Sequence, residues 1–460
     1  MELLAQDPTL SDFGHDPWWI ILIKVLGAFV FGAIGTVLGV WFERRVVGRM
    51  AVRPGPNQAG PFGLLQTLLD GIKGMLKEDL LPRAADKVVF FFAPTISAIF
   101  ALTALAVVPF GPMVSIGGHW TALQVTDVPV AVLLILACSA IGVYGLVLGG
   151  WASGSTYPLL GGLRSSAQVI SYEVAMGLSI VAVFMSAGTM STSGIVTAQS
   201  GSEAPLSVFG WQPASWLHAP GWYAILLAPS FIIFLISAFG ETNRAPFDLP
   251  EAESELVAGY MTEYSSIKFL LYMLSEYVAM LSMSAATVTL FLGGWRAPWP
   301  ISLWDGANSG WLPLLWFFLK VIVLLFVFVW VRGTLPRLRY DQFMRFGWKV
   351  LLPINLAWIL ALAGERVTRA DGAASGSRLL YFGAVLVLVL LVVLFWPTRK
   401  LERERTVAEQ VAQRPAGSFP VPPIDLTVPP SPRARAVVAE RQPANVSDIE
   451  GEVVPDQKEG

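Results

Sequence analysis

Residues 241–265 read ETNRAPFDLPEAESELVAGYMTEYS and lie between two long apolar runs, Trp222–Gly240 and Ser266–Gly294. Each run approaches or exceeds the roughly 20 apolar residues with which a helix crosses a bilayer. The connection between them carries six acids and one base, Arg244. Carboxylates stay ionised only where water, bases or helix N-termini support them. The pattern therefore predicts a helical membrane protein with a wet acidic funnel at one membrane surface, a feature suited to handling protons.

The composition is that of a polytopic membrane protein. Of the 460 residues, 54% are hydrophobic and 14% are charged, whereas soluble domains carry roughly 25% charged residues. The net charge of −2 gives no sign of nucleic-acid binding. The fold class we predict is all-α, a membrane helical bundle with nine spans: 18–42, 88–110, 128–151, 167–188, 222–240, 266–294, 312–331, 346–364 and 379–396. The eighth is the weakest, because Lys349 and Pro353 interrupt it.

Few residues of this chain could hold a redox centre. Its one cysteine, Cys138, excludes intramolecular disulfides, CxxC redox pairs and iron–sulfur ligation by this chain alone. The three histidines lack metal-binding spacing, so no metal site is expected. No strand–GxGxxG–helix or phosphate-loop motif indicates nucleotide binding. Any redox chemistry must therefore use centres in a partner or a diffusible small molecule.

Basic residues are distributed unevenly between the predicted loops. Alternate loops, together with the C-terminal tail, carry 25 of the 31 lysines and arginines, and the opposite loops carry 4. Because loops rich in Lys and Arg stay on the cytoplasmic side, we expect the N-terminus outside and the C-terminus in the cytoplasm. The acidic connection and the other polar motifs then face the cytoplasm.

The first cytoplasmic loop contains a helical pattern. Apolar residues recur at 62, 64, 65, 68, 69, 72, 75, 76 and 80, and polar residues fall on the other face: Gln66, Asp70, Lys73 and Lys77. This spacing predicts an amphipathic helix lying along the membrane interface. A short helix docked on the bundle fits the same spacing.

The chain is predicted to divide at residue 396. Residues 1–396 form the membrane domain, and 397–460 form a cytoplasmic tail with ten prolines, many charges and few aromatic residues. Such a composition is typical of a segment that is disordered or wraps a partner.

Three ionisable residues lie inside apolar runs: Glu173, Glu276 and Lys320. An unpaired charge at mid-membrane costs about 2.5–3.5 kcal/mol or more. Counted from the cytoplasmic ends of their spans, Glu276 and Lys320 lie at similar depth, so we expect them to pair or to share water. The pair is either a static ion pair that fixes helix register or part of a proton relay.

The acidic connection has two possible structures. Pro250 suits the first position of a helix, with Glu251 and Glu255 on one face and Glu253 on another. A solvated acidic loop is the alternative, although interleaved apolar residues such as Phe247 favour partial burial.

Three other charged segments are mainly basic: Glu43–Arg45, Arg53–Asn57 and Arg332–Asp341. Positive-inside anchoring explains many of these arginines, but the proline-locked turns beside them indicate a more ordered structure.

Four segments together carry a resemblance to a known family. Residues 58–73, 170–173, 241–257 and 332–341 are similar, in order, to motifs of one membrane subunit of bacterial NADH–quinone oxidoreductase, or respiratory complex I. The mitochondrial form of this subunit is NADH dehydrogenase subunit 1. The resemblance covers about residues 15–364 and does not extend to the tail. It implies a tilted bundle that joins the peripheral arm to the membrane arm of the complex, where quinone would enter sideways from the bilayer and approach a partner's iron–sulfur cluster.

The resemblance also implies roles for individual residues. Those that would line or support the quinone tunnel are Arg44, Arg45, Arg53, Phe62, Asp70, Lys73, Arg244, Phe247 and Asp248. Those that would form the start of a proton-transfer axis are Glu43, Glu173, Glu241, Glu251, Glu253, Glu255, Glu263, Glu276 and Lys320.

By the same resemblance, the chain is a subunit of a proton-translocating oxidoreductase in a bacterial plasma membrane. Quinone is its substrate, no cofactor is bound covalently, and NADH, FMN and iron–sulfur clusters are expected only in partner subunits. The expected partners are the peripheral-arm quinone-site and iron–sulfur subunits, adjacent small membrane subunits and membrane lipid.

Three alternatives remain at the level of sequence. The chain could be the equivalent subunit of a membrane-bound hydrogenase or related dehydrogenase, which shares part of the acidic pattern. A stand-alone cation/proton antiporter would instead show an internal repeat and broken helices. A purely structural anchor for a peripheral complex would tolerate the loss of its acids.

Overall fold

The computed structural model describes residues 7–200, 221–248, 256–304 and 306–370. Twelve helices and one hairpin follow one another along these residues. In chain order they are α1 Trp18–Met50, α2 Leu65–Met75, α3 Lys87–Ala104, β1 Gly111–Ile116, β2 His119–Leu123, α4 Ala131–Ala152, α5 Thr156–Ala187, α6 Thr192–Ala198, α7 Tyr223–Leu226, α8 Ala228–Glu241, α9 Ser266–Phe291, α10 Leu312–Thr334, α11 Tyr340–Phe346 and α12 Leu352–Ala370.

Long apolar helices dominate the described part of the chain. Seven are long and apolar enough to cross a membrane, and α8 is a shorter apolar helix. The all-α membrane bundle expected from the sequence is confirmed: seven of the nine apolar runs contain a helix of this length, and the run 222–240 contains the shorter α8. The ninth run, 379–396, and the tail 397–460 lie outside the described residues, so the domain division stays a prediction.

The main helix in the fifth predicted span is shorter than the apolar run 222–240. It is divided into α7 and α8 at Leu227, whose ψ of 42° is not helical, and Pro229 lies in the first turn of α8. Proline has no backbone N–H and fixes its own φ, so it favours a helix start over a continuous helix.

The eighth span is continuous in spite of its proline. Residues Tyr340–Arg366 form one apolar helical run in which a π-helical turn, Gly347–Leu351, joins α11 to α12. Pro353 cannot donate to the carbonyl of Lys349 four residues earlier. The wider π turn, which lies just before this proline, changes the hydrogen-bond pattern where that donor is missing.

Helix α9 is the centre of the bundle, and α1 lies at its edge. In the apolar stretch of each helix, 67% of residues are buried in α9 but only 22% in α1. Helices α3, α4 and α5 pack as neighbours. Gly145 of α4 lies so close to α3 that an added Cβ would be 2.6 Å from the Ala93 carbonyl oxygen. Small residues thus let these backbones approach closely, as is common between membrane helices.

An antiparallel hairpin, β1–β2, follows α3, and the sequence analysis did not predict it. Its turn is Gly117-Gly118, both with positive φ, and Ile116 pairs with His119. A Gly-Gly turn of this kind matches the twist of two short strands. The hairpin is tied to the N-terminal segment, because Thr121 Oγ1 donates to Asp16 at 2.8 Å and Asp16 also pairs with Lys24 at 2.6 Å.

The helix expected in the first loop is α2. It begins at Leu65, after a 3₁₀ turn at Pro61–Gly63. One edge of α2 docks on α9: Ser266 Oγ donates to the Met75 carbonyl at 3.3 Å. Its apolar residues are largely exposed in the isolated chain, namely Leu65, Leu68, Leu69, Ile72 and Met75. The helix therefore combines both expected features, docking on the bundle and an apolar face suited to the membrane interface.

Candidate functional site

The first half of the acidic connection, residues 241–248, is an ordered part of the structure. The Gln168 side-chain amide on α5 donates to the carbonyls of Gly240 and Phe247, at 2.8 and 2.9 Å. The backbone N–H of Leu338 donates to the Pro246 carbonyl at 3.1 Å, and Arg337 donates to the carbonyl of Asp248. These contacts, made from both sides, hold the segment against the bundle.

Phe247 lies in an aromatic cluster that fixes the same segment. Its ring centroid is 5.6 Å from that of Tyr172 on α5 and 4.7 Å from that of Phe343 on α11. Tyr172 and Phe343 stack at 4.2 Å, and the Tyr172 hydroxyl donates to the Phe343 carbonyl. Phe247, expected in the tunnel, is therefore buried, and its ring packs against these two side chains.

Glu43, near the end of α1, is the centre of a buried charge cluster. It pairs with Arg244 at 3.4 Å and with Arg332 of α10, and it accepts a 3.0 Å hydrogen bond from the Tyr277 hydroxyl. The Arg244 guanidinium lies 4.2 Å from the centre of the Tyr277 ring. A buried carboxylate is costly unless it is paired and hydrogen-bonded, and Glu43 is both. The cluster joins two expected site residues, Glu43 and Arg244, to Arg332, which the sequence analysis named only in the basic group, and to Tyr277, which it did not select.

Arg45, two residues further along α1, holds the proline-rich loop before α2. Its guanidinium donates to the carbonyl of Phe62 at 2.6 Å and to that of Pro56 at 3.2 Å. The Trp41 indole N–H donates to the same Phe62 carbonyl at 3.1 Å. Phe62 has a φ of 55° and a side chain 70% exposed. A bulky residue with positive φ is strained, and these two donors help to hold it there.

Arg44, between these two residues, contacts α2 through a salt bridge with Asp70. Partial burial acts to raise the pKa of Asp70. Hydrogen bonds from Arg44 and Gln66, with the charges of Arg44 and Lys73, outweigh that effect and hold the pKa below its ordinary value. The other two residues expected in this part of the tunnel have exposed side chains, namely Arg53 and Lys73.

A partly open cavity of about 80 Å³ lies between α3, α4, α5, α8 and α9. Two expected acids, Glu241 and Glu276, line it, together with several small polar residues: Ser97, Ser139, Asn243, Ser275 and Ser282. Since one water needs roughly 10–15 Å³ measured in this way, the cavity has room for several waters. We call this space the acid chamber.

The carboxyl of each acid in the chamber accepts a hydrogen bond from one hydroxyl group. Ser139 on α4 donates to Glu241, and the Tyr260 hydroxyl donates to Glu276 at 3.0 Å. Both carboxyls are buried, and the second oxygen of Glu241 has no hydrogen-bond partner among the described residues. Buried polar atoms without a protein partner are commonly satisfied by ordered water.

Lys320 is not paired with Glu276, and this corrects the expectation from depth. Its ammonium donates to the carbonyls of Leu292, Gly294 and Arg296, at 2.6, 3.0 and 2.7 Å. These residues follow the C-terminus of α9 at Phe291, which is about 22 Å along the helix from Glu276. Helix side chains lean toward the N-terminus of their own helix, and for α10 that end is the far one from Glu276. Lys320 therefore caps α9.

The remaining expected acids are distributed differently. Glu173 is half-buried on α5, and Glu263 is half-buried just before α9. Glu251, Glu253 and Glu255 lie outside the described residues, so the predicted helix after Pro250 is not tested.

Four residues of the site were missed at the sequence level: Ser139, Gln168, Tyr260 and Tyr277. Arg332 was named in the basic group but was given no role in the tunnel or the proton axis. Gln168 had a usable signal, because an amide inside an apolar span needs hydrogen-bond partners. Ser139, Tyr260 and Tyr277 had none, since such residues are frequent in membrane proteins.

A comparison with protein-family models gives one match over most of the chain. The model described as NADH dehydrogenase matches residues 23–363. The chain belongs to this family. It is a membrane subunit of NADH:quinone oxidoreductase, and the matched region contains the Glu43 cluster, the Arg45-bound loop and the acid chamber.

Proposed function

We propose that this subunit forms much of the quinone access tunnel of a proton-pumping oxidoreductase and passes the charge changes of quinone reduction into the membrane. The observation that carries the proposal is the acid chamber, in which two buried carboxyls share a cavity large enough for water. Reduction of a quinone to a quinol consumes two protons. A chain of acids and waters is the kind of structure that moves protons between such a reaction and a membrane interior.

The tunnel residues would lie at the end of α1 that carries Glu43, Arg44 and Arg45. These three consecutive residues contact the 241–248 segment, α2 and the loop before α2, respectively. All three of those elements contain residues expected in the tunnel. A quinone between them would meet arginines that can hydrogen-bond its carbonyl oxygens, while Phe62 offers an exposed aromatic face.

The proton-transfer axis would begin at the acidic connection and continue through the chamber. Arg244 links the connection to Glu43, whereas Glu241 and Glu276 lie within the bundle. A charge change beside Arg244 alters the field at nearby buried carboxyls, where the low dielectric strengthens electrostatic coupling. Lys320 binds the carbonyls that follow the other end of α9, and we therefore place it outside this axis.

The remaining parts of the assembly would be supplied by other subunits. Iron–sulfur clusters, FMN and the NADH site would lie in the peripheral arm, next to the quinone-site subunit, with small membrane subunits alongside. The distribution of Lys and Arg supports an N-terminus outside a bacterial plasma membrane and a cytoplasmic C-terminus.

The proposal is tested by Glu241→Gln and Glu276→Gln in the assembled complex. Both variants should lower proton-coupled quinone reduction at least about tenfold, because a positioned proton-transfer group typically contributes about 100-fold or more to a rate. Glu78→Gln, which changes the same kind of group at an exposed position, is the matched control.

Electron transfer from NADH to an acceptor that bypasses quinone should stay normal in all three variants. Normal coupled activity in assembled Glu241→Gln and Glu276→Gln complexes would refute the proposal. Loss of both quinone reduction and the bypass reaction would mean that the peripheral arm has not assembled.

A further inference from the structure

A second cavity lies on the lipid-facing side of the bundle, away from the acid chamber. It is a groove of about 560 Å³ between α1 and α10, with Leu281 of α9 at its back. Apolar side chains and glycines line it. Its volume falls within the range of small-molecule sites, and none of the residues assigned to the tunnel or the proton axis lines it. We call it the α1–α10 groove.

Aromatic pairs bound the middle of this groove. Phe31 and Phe318 approach to 5.3 Å at one end, and Phe42 and Phe326 to 6.4 Å at the other. The 11 residues from Phe31 to Phe42 span about 16 Å of helix. One leaflet of a bilayer has a hydrocarbon depth of about 15 Å, half of the full core. The part of the groove between these two pairs therefore matches the depth of one leaflet, and Gly27 and Val30 extend the groove beyond Phe31.

Arginines continue both walls of the groove beyond Phe42. On α1 the lining residues Leu38 and Phe42 are followed, at intervals of three and four, by Arg45 and Arg49, which therefore share their face. On α10 the same spacing leads from Leu325 to Arg332. The two helix ends are adjacent, since a Cβ on Gly333 would be 3.0 Å from the sulfur of Met50.

Among the residues that the structure describes, positive charge is in excess at this end of the groove. Glu43 is buried and shared between Arg332 and Arg244, and Asp70 pairs with Arg44. Arg49 is exposed, and no ion pair to it is found within the described ranges. Basic residues beside an apolar groove between membrane helices are the usual recognition elements for anionic lipid headgroups.

We propose that the α1–α10 groove binds an anionic phospholipid, with one acyl chain between α1 and α10 and its phosphate against Arg49 and Arg332. The charge selects an anionic headgroup, and the length of the groove selects an acyl chain of one leaflet. A quinone has no anionic group for these arginines, and a partner helix would have to fill the groove with side chains. The test distinguishes binding of a phospholipid from binding of a quinone and from contact with a partner helix.

The test is photolabelling of the intact complex in vesicles. Phosphatidylglycerol with a diazirine in one acyl chain is the probe, and phosphatidylcholine with the same chain is the comparison. Labelled peptides are mapped by mass spectrometry. We expect phosphatidylglycerol adducts on groove residues of α1 and α10, such as Ile34 and Ile322, about fivefold above the phosphatidylcholine level.

Two variants and two matched controls make the test specific. Arg49→Gln should remove the preference for phosphatidylglycerol, whereas Arg345→Gln, which removes an exposed arginine of α11, should preserve it. Gly27→Leu should fill one end of the groove and lower labelling there, because a Cβ on Gly27 meets nothing within 4 Å. Leu26→Phe adds bulk beside the groove and should leave labelling unchanged.

Three results would overturn the proposal. Equal labelling by the two phospholipids would show that the groove holds bulk lipid without selection. Stronger labelling by a diazirine quinone, abolished by Gly27→Leu, would assign the groove to the quinone tail. Absence of labelling by any of these probes, with crosslinks from groove residues to another subunit, would assign it to a partner protein. None of these readouts depends on enzyme turnover.

Discussion

At the scale of single residues, two buried charges, Glu43 and Lys320, are satisfied by several near neighbours at once. Glu43 is shared between two arginines and a tyrosine, and Lys320 binds three carbonyls. Buried charges need several partners at once to offset desolvation. The sequence identified the charged residues because they stand out in apolar runs. It could not identify their partners, since helical spacing gives the depth of a side chain but not which neighbour it reaches.

Lys320→Met should destabilise the complex without uncoupling it. The substitution leaves three buried carbonyls without their donor, and each unsatisfied group costs about 1–3 kcal/mol. Thermal inactivation should shift to lower temperature, whereas the number of protons moved per quinone in the surviving complex should stay normal. Lys349→Met, at an exposed position, is the control. A lowered proton-to-quinone ratio with unchanged stability would instead return Lys320 to the proton axis.

Asp70→Asn should raise the KM for quinone while the pH profile keeps its shape. The folded pKa of Asp70 is lowered, so its stabilising contribution is complete above the unfolded value of 3.8 and is lost only as the pH falls through the lowered folded value. Across the neutral range the group stays ionised. The measurement is quinone-reductase rate against pH and quinone concentration. A shift of the pH optimum in Asp70→Asn would contradict this assignment.

At the scale of elements, composition and periodicity predicted what depends on local sequence. The apolar runs became helices, and the amphipathic spacing after Phe62 became α2. The hairpin β1–β2 was missed because its strands are short and lie between spans, although Gly117-Gly118 is a recognisable turn signal. The break at Leu227 was missed for a related reason: Pro229 marked it, but the apolar run continued without interruption across it.

Gly63→Ala should disrupt the loop before α2 and lower quinone reduction. Gly63 has a φ of 75°, and a Cβ there would lie 2.9 Å from the backbone nitrogen of Asn57. A left-handed conformation costs a residue with a Cβ roughly 1–2 kcal/mol even without a clash. The control is Gly118→Ala in the hairpin, which has a similar φ of 85° but no atom within 4 Å of the added Cβ.

The two glycine variants separate backbone strain from damage to the site. Quinone reduction and reduction of the iron–sulfur clusters by NADH should be measured side by side in each. Only Gly63→Ala should slow quinone reduction, and neither variant should affect reduction of the iron–sulfur clusters by NADH. Equal losses in both variants would show that the loop has no special role.

At the scale of the whole molecule, the spans and their order follow from the sequence, whereas their arrangement around α9 does not. The centre of a bundle is the helix that the others cover, and in lipid a buried helix is no more apolar than an exposed one. Thus α9, the most buried long helix, is less hydrophobic than the peripheral α1. Serines and threonines lower its hydropathy, and four of them donate to backbone carbonyls three or four residues earlier in α9 itself.

The orientation of the molecule is tested with cysteines at two exposed positions, His119 in the hairpin and Glu78 after α2. A membrane-impermeant thiol reagent should label His119→Cys from outside intact cells and Glu78→Cys only in inside-out vesicles. The native Cys138 is buried and gives a low background. Labelling of both positions from one side would contradict the alternation of spans, and reversed labelling would invert the orientation.

The three consecutive residues at the end of α1, Glu43 to Arg45, have a consequence for how this region tolerates change. Neighbouring helical residues point about 100° apart, so these three side chains reach three different elements at once. A point substitution breaks one of the connections. Insertion or deletion of one residue within α1 would rotate all three away from their partners together. Length variation is therefore expected to be confined to the connecting segments, because three separate elements fix the rotational phase of α1.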